Sequence, residues 1–212
     1  MLSDGKKPVS ARLSEDQRQA RRDAIIDAAE AIFAEKPFTK VNMRDIARLA
    51  GISPALIYRY FPNQQHLFIE AFLRGARDLV PVLDDCIGVA EPGLVERVAR
   101  IFITYLTEHE QYFKMMTHFM LEGSINKDLQ ERLNAIERSV LDQFDRLFVK
   151  TGAKNDVRGL SHAFFAALNG ILITYRQHPG RTADEVREHM ELVARVIARI
   201  FENEVRSGAT GA

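Results

Sequence analysis

The sequence has one cysteine, no tryptophan and no long uninterrupted hydrophobic run. The single thiol, Cys86, cannot form an intramolecular disulfide and suits a reducing compartment. Polar and charged residues follow Met1 without an apolar stretch, so no signal peptide is expected. The longest apolar run, 163–175, is short and is interrupted by Asn169 and Gly170, which argues against a membrane span. We therefore expect a cytoplasmic protein with no membrane partner.

Motifs of the common enzyme classes are also missing. The sequence contains no glycine-rich phosphate loop, no G-x-S-x-G motif and no reactive cysteine context. Its six histidines are scattered, and none has the H-x-x-x-H or H-E-x-x-H spacing of a metal site. His118 and Glu122 could share a helix face, but a surface pair or a hydrogen bond in a pocket explains them more simply. We expect no enzyme activity, no cofactor and no metal.

Net charge is zero over the whole chain but is unevenly distributed. Residues 1–80 contain 13 lysines and arginines against 10 acidic residues, whereas residues 81–212 contain 16 against 19. A basic first third suits an anionic partner, although many solvated surfaces have a similar imbalance. Apolar residues make up 46% of the chain, which is enough for a sizeable core.

Helical periodicity runs through the sequence, and no segment alternates as a strand would. Capping patterns begin helices at Ser14, Asn42, Asn63 and Thr182. The segment 81–93 is either a loose connection or the frayed end of a long helix. These patterns predict an all-α fold of about nine helices, with an arm and helix-turn-helix domain at 1–62 and a helical ligand-binding and dimerisation domain at 63–212. The expected core of the first domain is Ile25, Phe33, Ile46, Leu49, Ile52 and Ile57.

The most informative stretch is the short apolar helix that follows Gly51. Gly51 permits a tight turn, Ser53 is a good N-cap, and Pro54 suits the first helical position. Two short helices joined by such a turn are typical of a helix-turn-helix, whose second helix enters the major groove of DNA. Arg44 lies near a helix N-terminus, where a positive charge is favourable only if an anion such as phosphate is close.

These residues resemble the DNA-binding domain of TetR-type transcriptional regulators. The resemblance covers about residues 18–70 and rests on the runs Met43–Ala47, Ala50–Ser53, Leu56–Phe61 and Leu67–Phe68. It implies an N-terminal DNA-binding domain, a homodimer, and a second domain whose small-molecule effector changes the spacing of the two DNA-binding heads.

The resemblance also implies roles for individual residues. Base edges or the groove would be met by Pro54, Ala55, Leu56 and Arg59, of which Arg59 alone can make a bidentate contact to guanine. Phosphates would be held by Arg44, Ser53, Tyr58 and Tyr60. Gln64 stands where the family usually has lysine, so it would contact phosphate without a charge. The basic residues near the N-terminus would compensate for the missing charge: Lys6, Lys7, Arg12, Arg18, Arg21 and Arg22.

Apolar helix faces dominate the second part of the chain and allow two interpretations. The last helix, with Val186, Met190, Val193, Ile197 and Ile200, and the helix at 157–177 before it resemble half of a four-helix dimer interface; the alternative is a core helix inside a monomer. Aromatic, sulfur-bearing and amide side chains suggest a ligand pocket, although such stripes also form plain core. The candidate ligand-binding residues are Phe102, Tyr105, Tyr112, Met116, Phe119, Phe144, Phe165 and Asn169.

Taken together, the sequence predicts a sequence-specific DNA-binding transcriptional regulator. The expected partners are a double-stranded DNA operator, a small and largely apolar effector, and a second copy of the chain. The expected mode is repression, with the effector releasing the protein from its operator. The alternative is a dimeric helical small-molecule-binding protein without regulatory DNA binding.

Overall fold

A computed structural model describes residues 14–36, 38–89, 92–122, 127–176 and 178–210; within these ranges the side chains at 119–122, 128, 129 and 208–210 are not described. The described residues form nine α-helices, one short 3-10 helix at Phe38–Lys40 and no strand. This confirms the predicted all-α fold. The helices are α1 Glu15–Glu35, α2 Met43–Leu49, α3 Pro54–Tyr60, α4 Gln64–Gly88, α5 Leu94–Glu108, α6 Glu110–Glu122, α7 Lys127–Lys150, α8 Val157–Tyr175 and α9 Ala183–Thr210.

The chain divides into two compact units, Met1–Ala71 and Phe72–Ala212. Helix α4 begins in the first unit and ends in the second. The division of functional domains at 62/63, where α4 begins, stays a prediction.

Side-chain caps set the helix starts that the sequence predicts. Ser14, Asn42 and Ser53 each accept a hydrogen bond from the backbone N–H three residues later. Asn63 does the same before α4, and Thr182 forms a reciprocal capping box before α9. Each cap satisfies an N–H group that the first turn of a helix leaves without a partner, so short polar motifs decide where the helices begin.

The first unit has a small core in which α2 packs against both α1 and α3. Ile25, Ile46 and Ile57 are fully buried. The prediction was wrong for Leu49, which is 57% exposed, because the buried face of α2 carries Met43, Ile46 and Ala47 and Leu49 lies beside that face.

The second unit is organised around α8, which packs against α7, α9 and α5. Phe164 on α8 is fully buried and meets Phe144 and Phe148 of α7 with ring centroids 5.2 and 5.5 Å apart. Edge-on ring contacts of this kind combine large buried area with favourable electrostatics. The aromatic cluster is therefore the centre of the core of this unit.

Among the described helices, α8 is long and apolar enough to cross a membrane by length and composition alone. In the sequence, the interruption at Asn169 and Gly170 is an argument against a membrane span. By length and composition alone, the interruption does not exclude one. In the structure, Phe164, Leu168 and Leu172 of α8 are fully buried against the neighbouring helices. A core helix explains its composition without a bilayer.

Helix α4 continues through Pro81 as far as Gly88, so the part of segment 81–93 up to Gly88 is the end of a helix and not a loose connection. Its last turns are attached to α7. Arg146 forms an ion pair with Asp84, and the Lys150 ammonium donates to the Gly88 carbonyl at 2.8 Å. The C-terminal end of α4 is thus held by charged and polar contacts beyond the proline.

The outward faces of α8 and α9 carry apolar side chains. On α9, Leu192, Val196 and Ile200 are 48%, 41% and 55% exposed and follow one another at intervals of four residues. On α8, Ile173 is 55% exposed, and the small residues Ala163, Ala166 and Gly170 are also exposed. Two residues of the predicted dimer interface are not on this outward face: Val186 and Met190 are buried within the second unit.

Candidate functional site

The turn between α2 and α3 depends on Gly51. Its φ of 67° lies in the left-handed region, which glycine adopts without strain. The Ile52 N–H donates to the Ala47 carbonyl at 2.9 Å, and the Gly51 N–H donates to the Arg48 carbonyl at 3.2 Å. This pair of bonds is a Schellman motif, so it ends α2 and fixes the direction in which the chain enters α3.

Helix α3 is anchored by a single fully buried side chain, Ile57. The Ser53 hydroxyl accepts the Leu56 N–H at 3.2 Å, and Pro54 occupies the first turn. A seven-residue helix has little stability of its own in water, so its order comes from these caps and from packing on α2. The helix is held from beneath while its other faces are left uncovered.

The uncovered faces of α3 carry most of the predicted DNA-contacting residues. The Tyr58 side chain is 51% exposed. Arg59, the next residue in the sequence, is exposed as well. Leu56 and Tyr60 are half-buried. The exposed members of the predicted set in α3 and its cap are Ser53, Pro54, Ala55, Tyr58 and Arg59. Their exposure makes them available to a partner molecule.

Arg44 is exposed at the second position of α2. Arg48, one turn later, forms an ion pair with Asp45. Arg44 and Arg59, by contrast, form no ion pair with any residue that the structure describes. A cation at a helix N-terminus opposes the helix dipole, so an external anion at Arg44 would be doubly favourable.

Lys40 is a further exposed cation that the sequence reasoning missed. It ends the 3-10 helix, two residues before Asn42 caps α2. A basic residue just ahead of a capped helix start is a recognisable signal, because the free N–H groups of that start also attract phosphate.

Gln64 is engaged within the protein. Its side-chain amide donates to the Phe38 carbonyl at 2.7 Å, and the Phe38 ring packs on Phe68 with centroids 4.7 Å apart. Gln64 therefore holds the 3-10 segment against the start of α4. The amide group keeps a second N–H, so a phosphate contact is still chemically open to it.

Arg22, which the sequence assigned to the basic arm, is used inside the first unit. Its guanidinium pairs with Glu70 at 2.5 Å and lies 5.2 Å from the centroid of the buried Phe61 ring. The Glu70 side chain is only 10% exposed, so removing Arg22 would take an ion-pair partner from a poorly hydrated carboxylate. The pair ties α1 to α4 and to the end of α3. Lys6, Lys7 and Arg12 lie outside the described residues.

The second unit contains a cavity of about 320 Å³ bounded by α4, α5, α6, α7 and α8. This volume is in the range of small-molecule sites, and the walls are mostly apolar. Helix α4 contributes residues that sequence reasoning missed, namely Phe72, Gly75, Ala76 and Leu79. Helix α7 contributes Gln130, Leu133, Asn134, Ile136, Glu137 and Val140, which were also missed.

Five of the predicted ligand-binding residues line this cavity: Phe102, Tyr105, Tyr112, Met116 and Phe165. Two do not. Phe144 is fully buried in the aromatic cluster of the core. Asn169 is buried and donates to the Phe165 carbonyl of its own helix at 2.9 Å, while its Oδ1 has no hydrogen-bond partner among the described residues. The side chain of Phe119 lies outside the described part of the chain.

Two tyrosines connect α5 and α6 to Gly75 of α4. The Tyr105 hydroxyl donates to the Gly75 carbonyl at 2.8 Å. The Tyr112 ring lies against Gly75 so closely that a Cβ at this position would be 2.1 Å from the ring. His109, at the end of α5, stacks on Tyr105 with ring centroids 4.2 Å apart. The cavity wall at this point is therefore a close contact between an aromatic stack and a helix backbone.

The described residues include no group of three or more histidine, cysteine, aspartate or glutamate side chains that could hold a metal ion. Of the pair considered from the sequence, His118 is half-buried and the side chain of Glu122 lies outside the described part.

Comparison with known proteins identifies the first unit. Residues 25–71 match the family model of bacterial regulatory proteins, tetR family. The chain is 27% identical over 140 residues to the HTH-type transcriptional repressor KstR of Rhodococcus jostii, covering 65% of this chain and 62% of that protein. It is 24% identical over 170 residues to the fatty acid metabolism regulator protein of Bacillus subtilis, covering 75% and 85% of the two chains.

The fold agrees with this match. The crystal structure of the fatty acid degradation regulator FadR from Bacillus halodurans superposes with a TM-score of 0.63 at 19% identity, covering 90% of this chain and 96% of that one. The family match includes α2, the Gly51 turn and α3, which are the elements that build the exposed surface described above. Residues 25–71 therefore carry a domain of the tetR family of bacterial regulatory proteins, and the chain as a whole is similar in fold to a solved regulator.

Proposed function

We propose that the protein is a homodimeric repressor that binds an operator through α3 and releases it when a small, largely apolar molecule occupies the cavity. The observation that carries the DNA-binding part is the exposure of α3. Its side chains Pro54, Ala55 and Arg59 are uncovered, while Ile57 fixes the helix from beneath. The name of the Rhodococcus relative, a transcriptional repressor, supports the sign of regulation.

On this proposal, direct base reading is concentrated in Arg59. Its guanidinium can donate two hydrogen bonds to a guanine in the major groove. Pro54, Ala55 and Leu56 offer only apolar contact, which suits thymine methyl groups.

The remaining predicted residues would hold the phosphate backbone. Arg44 supplies charge, Ser53 supplies its backbone N–H at the start of α3, and Tyr58, Tyr60 and Gln64 supply neutral donors. Such contacts set the position of the protein on DNA but distinguish bases poorly.

Dimerisation is supported by the outward faces of α8 and α9. Leu192, Val196 and Ile200 on α9 and Ile173 on α8 are large apolar side chains exposed to water, and the two helices pack against each other; a second copy that covered them would remove this apolar surface from water. Small residues on α8 would let a second copy approach closely. A two-fold dimer also provides the paired heads that a helix-turn-helix protein needs for two half-sites.

Release by a ligand is supported by the part that α4 takes in the cavity. Phe72, Gly75, Ala76 and Leu79 of α4 line it, and α4 starts at Gln64, shortly after α3 ends at Tyr60. A ligand that fits the cavity better after α4 has shifted favours the shifted state. Equal affinity for both states would change nothing.

The DNA-binding part is tested by fluorescence anisotropy with the DNA upstream of the protein's own gene and a shuffled duplex of equal composition. We expect the upstream DNA to bind at least about a thousandfold more tightly at moderate salt. Arg59→Ala should cost about 1–3 kcal/mol and remove the preference at one base position. Arg100→Ala, an exposed arginine on α5, is the matched control and should bind as the wild type does.

The phosphate assignment of Arg44 has a different signature. Arg44→Ala should weaken binding to both duplexes alike and reduce the slope of log K against log salt by about one for each subunit of the dimer. Equal affinity of the wild type for the two duplexes at moderate salt would contradict the regulator and favour a ligand-binding protein without regulatory DNA binding.

A further inference from the structure

The charged groups of the cavity wall are of one sign only among the described lining residues. Among the described lining residues the only charged side chain is Glu137 of α7; no lysine, arginine or histidine lines the cavity. Glu137 is exposed and forms no ion pair with any residue that the structure describes. A ligand carboxylate in this cavity would therefore lose hydration without gaining a counter-ion, and it would also meet a like charge.

An arginine that contacts the backbone of the lining residue Leu106 is already engaged. Arg176, at the end of α8, donates to the Leu106 carbonyl at 2.7 Å and lies 4.6 Å from the centroid of the Phe113 ring. Turning it toward the cavity would leave the end of α5 without these bonds. A ligand anion that paired with Arg176 would therefore bind less tightly, because the hydrogen bond to Leu106 would first have to break.

Aromatic rings supply the complementary feature. Five rings line the cavity, from Phe72, Phe102, Tyr105, Tyr112 and Phe165. The face of an aromatic ring attracts a cation, most strongly where water is excluded. Rings combined with one unpaired carboxylate are chemically suited to an organic cation whose charge is spread over a bulky, weakly hydrated group.

The polar side chains of α7 indicate where the charge would lie. Gln130, Asn134 and Glu137 are spaced by four and three residues, so they share one face of the helix, and all three are exposed. Phe102, by contrast, is only 1% exposed, on the inner side. The cavity thus runs from a polar rim carrying a negative charge to an apolar interior.

We infer that the effector of this cavity is an organic cation with an apolar body, whose positive group lies near Glu137 among the rings. The inference rests on the proposed function, because it specifies the effector of that same cavity. A free carboxylate, by contrast, has the wrong charge for this wall.

The test compares three probes that share a ten-carbon chain: decyltrimethylammonium, decanol and decanoate. Each is titrated into the full-length protein without DNA by isothermal calorimetry, below its micelle concentration. We expect the ammonium to bind at least about tenfold more tightly than the carboxylate, with the alcohol between them. Decanoate binding equal to or tighter than decyltrimethylammonium, or no binding of any probe, would overturn the inference.

Glu137→Gln isolates the carboxylate. It should weaken binding of the ammonium by about three- to fivefold, as expected for an exposed charge pair, and leave decanol unchanged. Glu131→Gln, on the same helix but outside the cavity wall, should change neither. Unaltered ammonium binding in the Glu137 variant would also overturn the inference.

Operator binding separates this inference from the function it rests on. Anisotropy on the upstream duplex is repeated with each probe at saturation. If the ammonium binds with the expected selectivity but the operator is neither bound nor released, the effector class stands and the repressor proposal fails. If the operator binds specifically while decanoate alone releases it, the repressor stands and the effector class fails.

Discussion

Replacing Gly75 by alanine tests the close contact between α4 and α6 at the cavity wall. The added Cβ would lie 2.1 Å from Cε1 and Cζ of the Tyr112 ring and 2.3 Å from its Cδ1. Carbon atoms do not approach this closely, so the ring has to move. Tyr112 is only 6% exposed and also borders the cavity, so the ring can move only into the cavity or against its packed neighbours.

Two opposing effects set the magnitude. Alanine stabilises a helix interior by about 0.8–1 kcal/mol relative to glycine, while forcing a side chain out of a packed position costs about 1–3 kcal/mol. In the wild-type background Gly75→Ala should therefore leave the second unit unchanged or destabilise it by up to about 2 kcal/mol. In a Tyr112→Ala background the clash is gone, and the same change should stabilise by about 1 kcal/mol.

The assay is urea denaturation of the four proteins of this double-mutant cycle, followed by far-ultraviolet circular dichroism. The expected coupling free energy is about 1–3 kcal/mol, which is well within reach of such a cycle. Gly88→Ala is the control, because a Cβ there meets no atom within 4 Å and should behave alike in both backgrounds. An equal effect of Gly75→Ala with and without the Tyr112 ring would refute the reasoning.

Three further predictions concern other parts of the chain. Ile57→Ala should destabilise the first unit by about 2–5 kcal/mol in thermal unfolding, since Ile57 is fully buried; a loss below about 1 kcal/mol would mean that α3 is not anchored there. Backbone and hydroxyl hydrogen bonds from Thr182 lower the pKa of Glu185. The ionised Glu185 carboxylate therefore stabilises the folded protein above the ordinary carboxylate pKa, and this stabilisation is lost as pH falls through the lowered pKa. Glu185→Gln should flatten that part of a plot of unfolding free energy against pH, and an unchanged plot would count against the capping box. Leu192→Glu should raise the dissociation constant of the proposed dimer at least about tenfold in light-scattering measurements, and an unaltered dissociation constant would exclude this face from the interface.

Local features of this fold are readable from the sequence because their causes are local. The caps at Ser53 and Thr182 and the turn at Gly51 depend on residues a few positions apart. Each carries a distinct chemical signal, a short oxygen-bearing side chain or a missing Cβ. The start of α3 could therefore be predicted almost to the residue, and with it the exposed set around Arg59.

The cavity was harder to predict because it depends on which helices fail to fill the space between them. Periodicity shows that Phe102 and Phe144 both face inward, but only the packing shows that one borders the cavity while the other lies in the solid core. Gly75 gave no signal as a lining residue, since glycine carries no apolar side chain. Glu137 looked like ordinary helix surface, and its position on the rim follows only from where α7 lies.

Packing also explains why the prediction that Leu49 is buried in the core of the first unit was wrong. Leu49 is apolar and follows Ile46 by three residues, which a helix pattern places near the core. In a helix of only seven residues, however, a narrow contact is enough to bury Met43, Ile46 and Ala47 and leave the next apolar side chain outside. Short helices give periodicity too few turns to define the edge of a face.

The proline inside α4 has a mechanical consequence. Pro81 has no N–H for the carbonyl one turn earlier, so the helix bends most easily there, and the contacts of Asp84 and Gly88 hold the part beyond it. Gly75 is about 9 Å and Gln64 about 25 Å from Pro81 along the axis at 1.5 Å per residue. If the segment before Pro81 tilts as a straight rod, α4 is a lever with its fulcrum at the proline. A push at the cavity then becomes a movement about three times larger at the start of the helix.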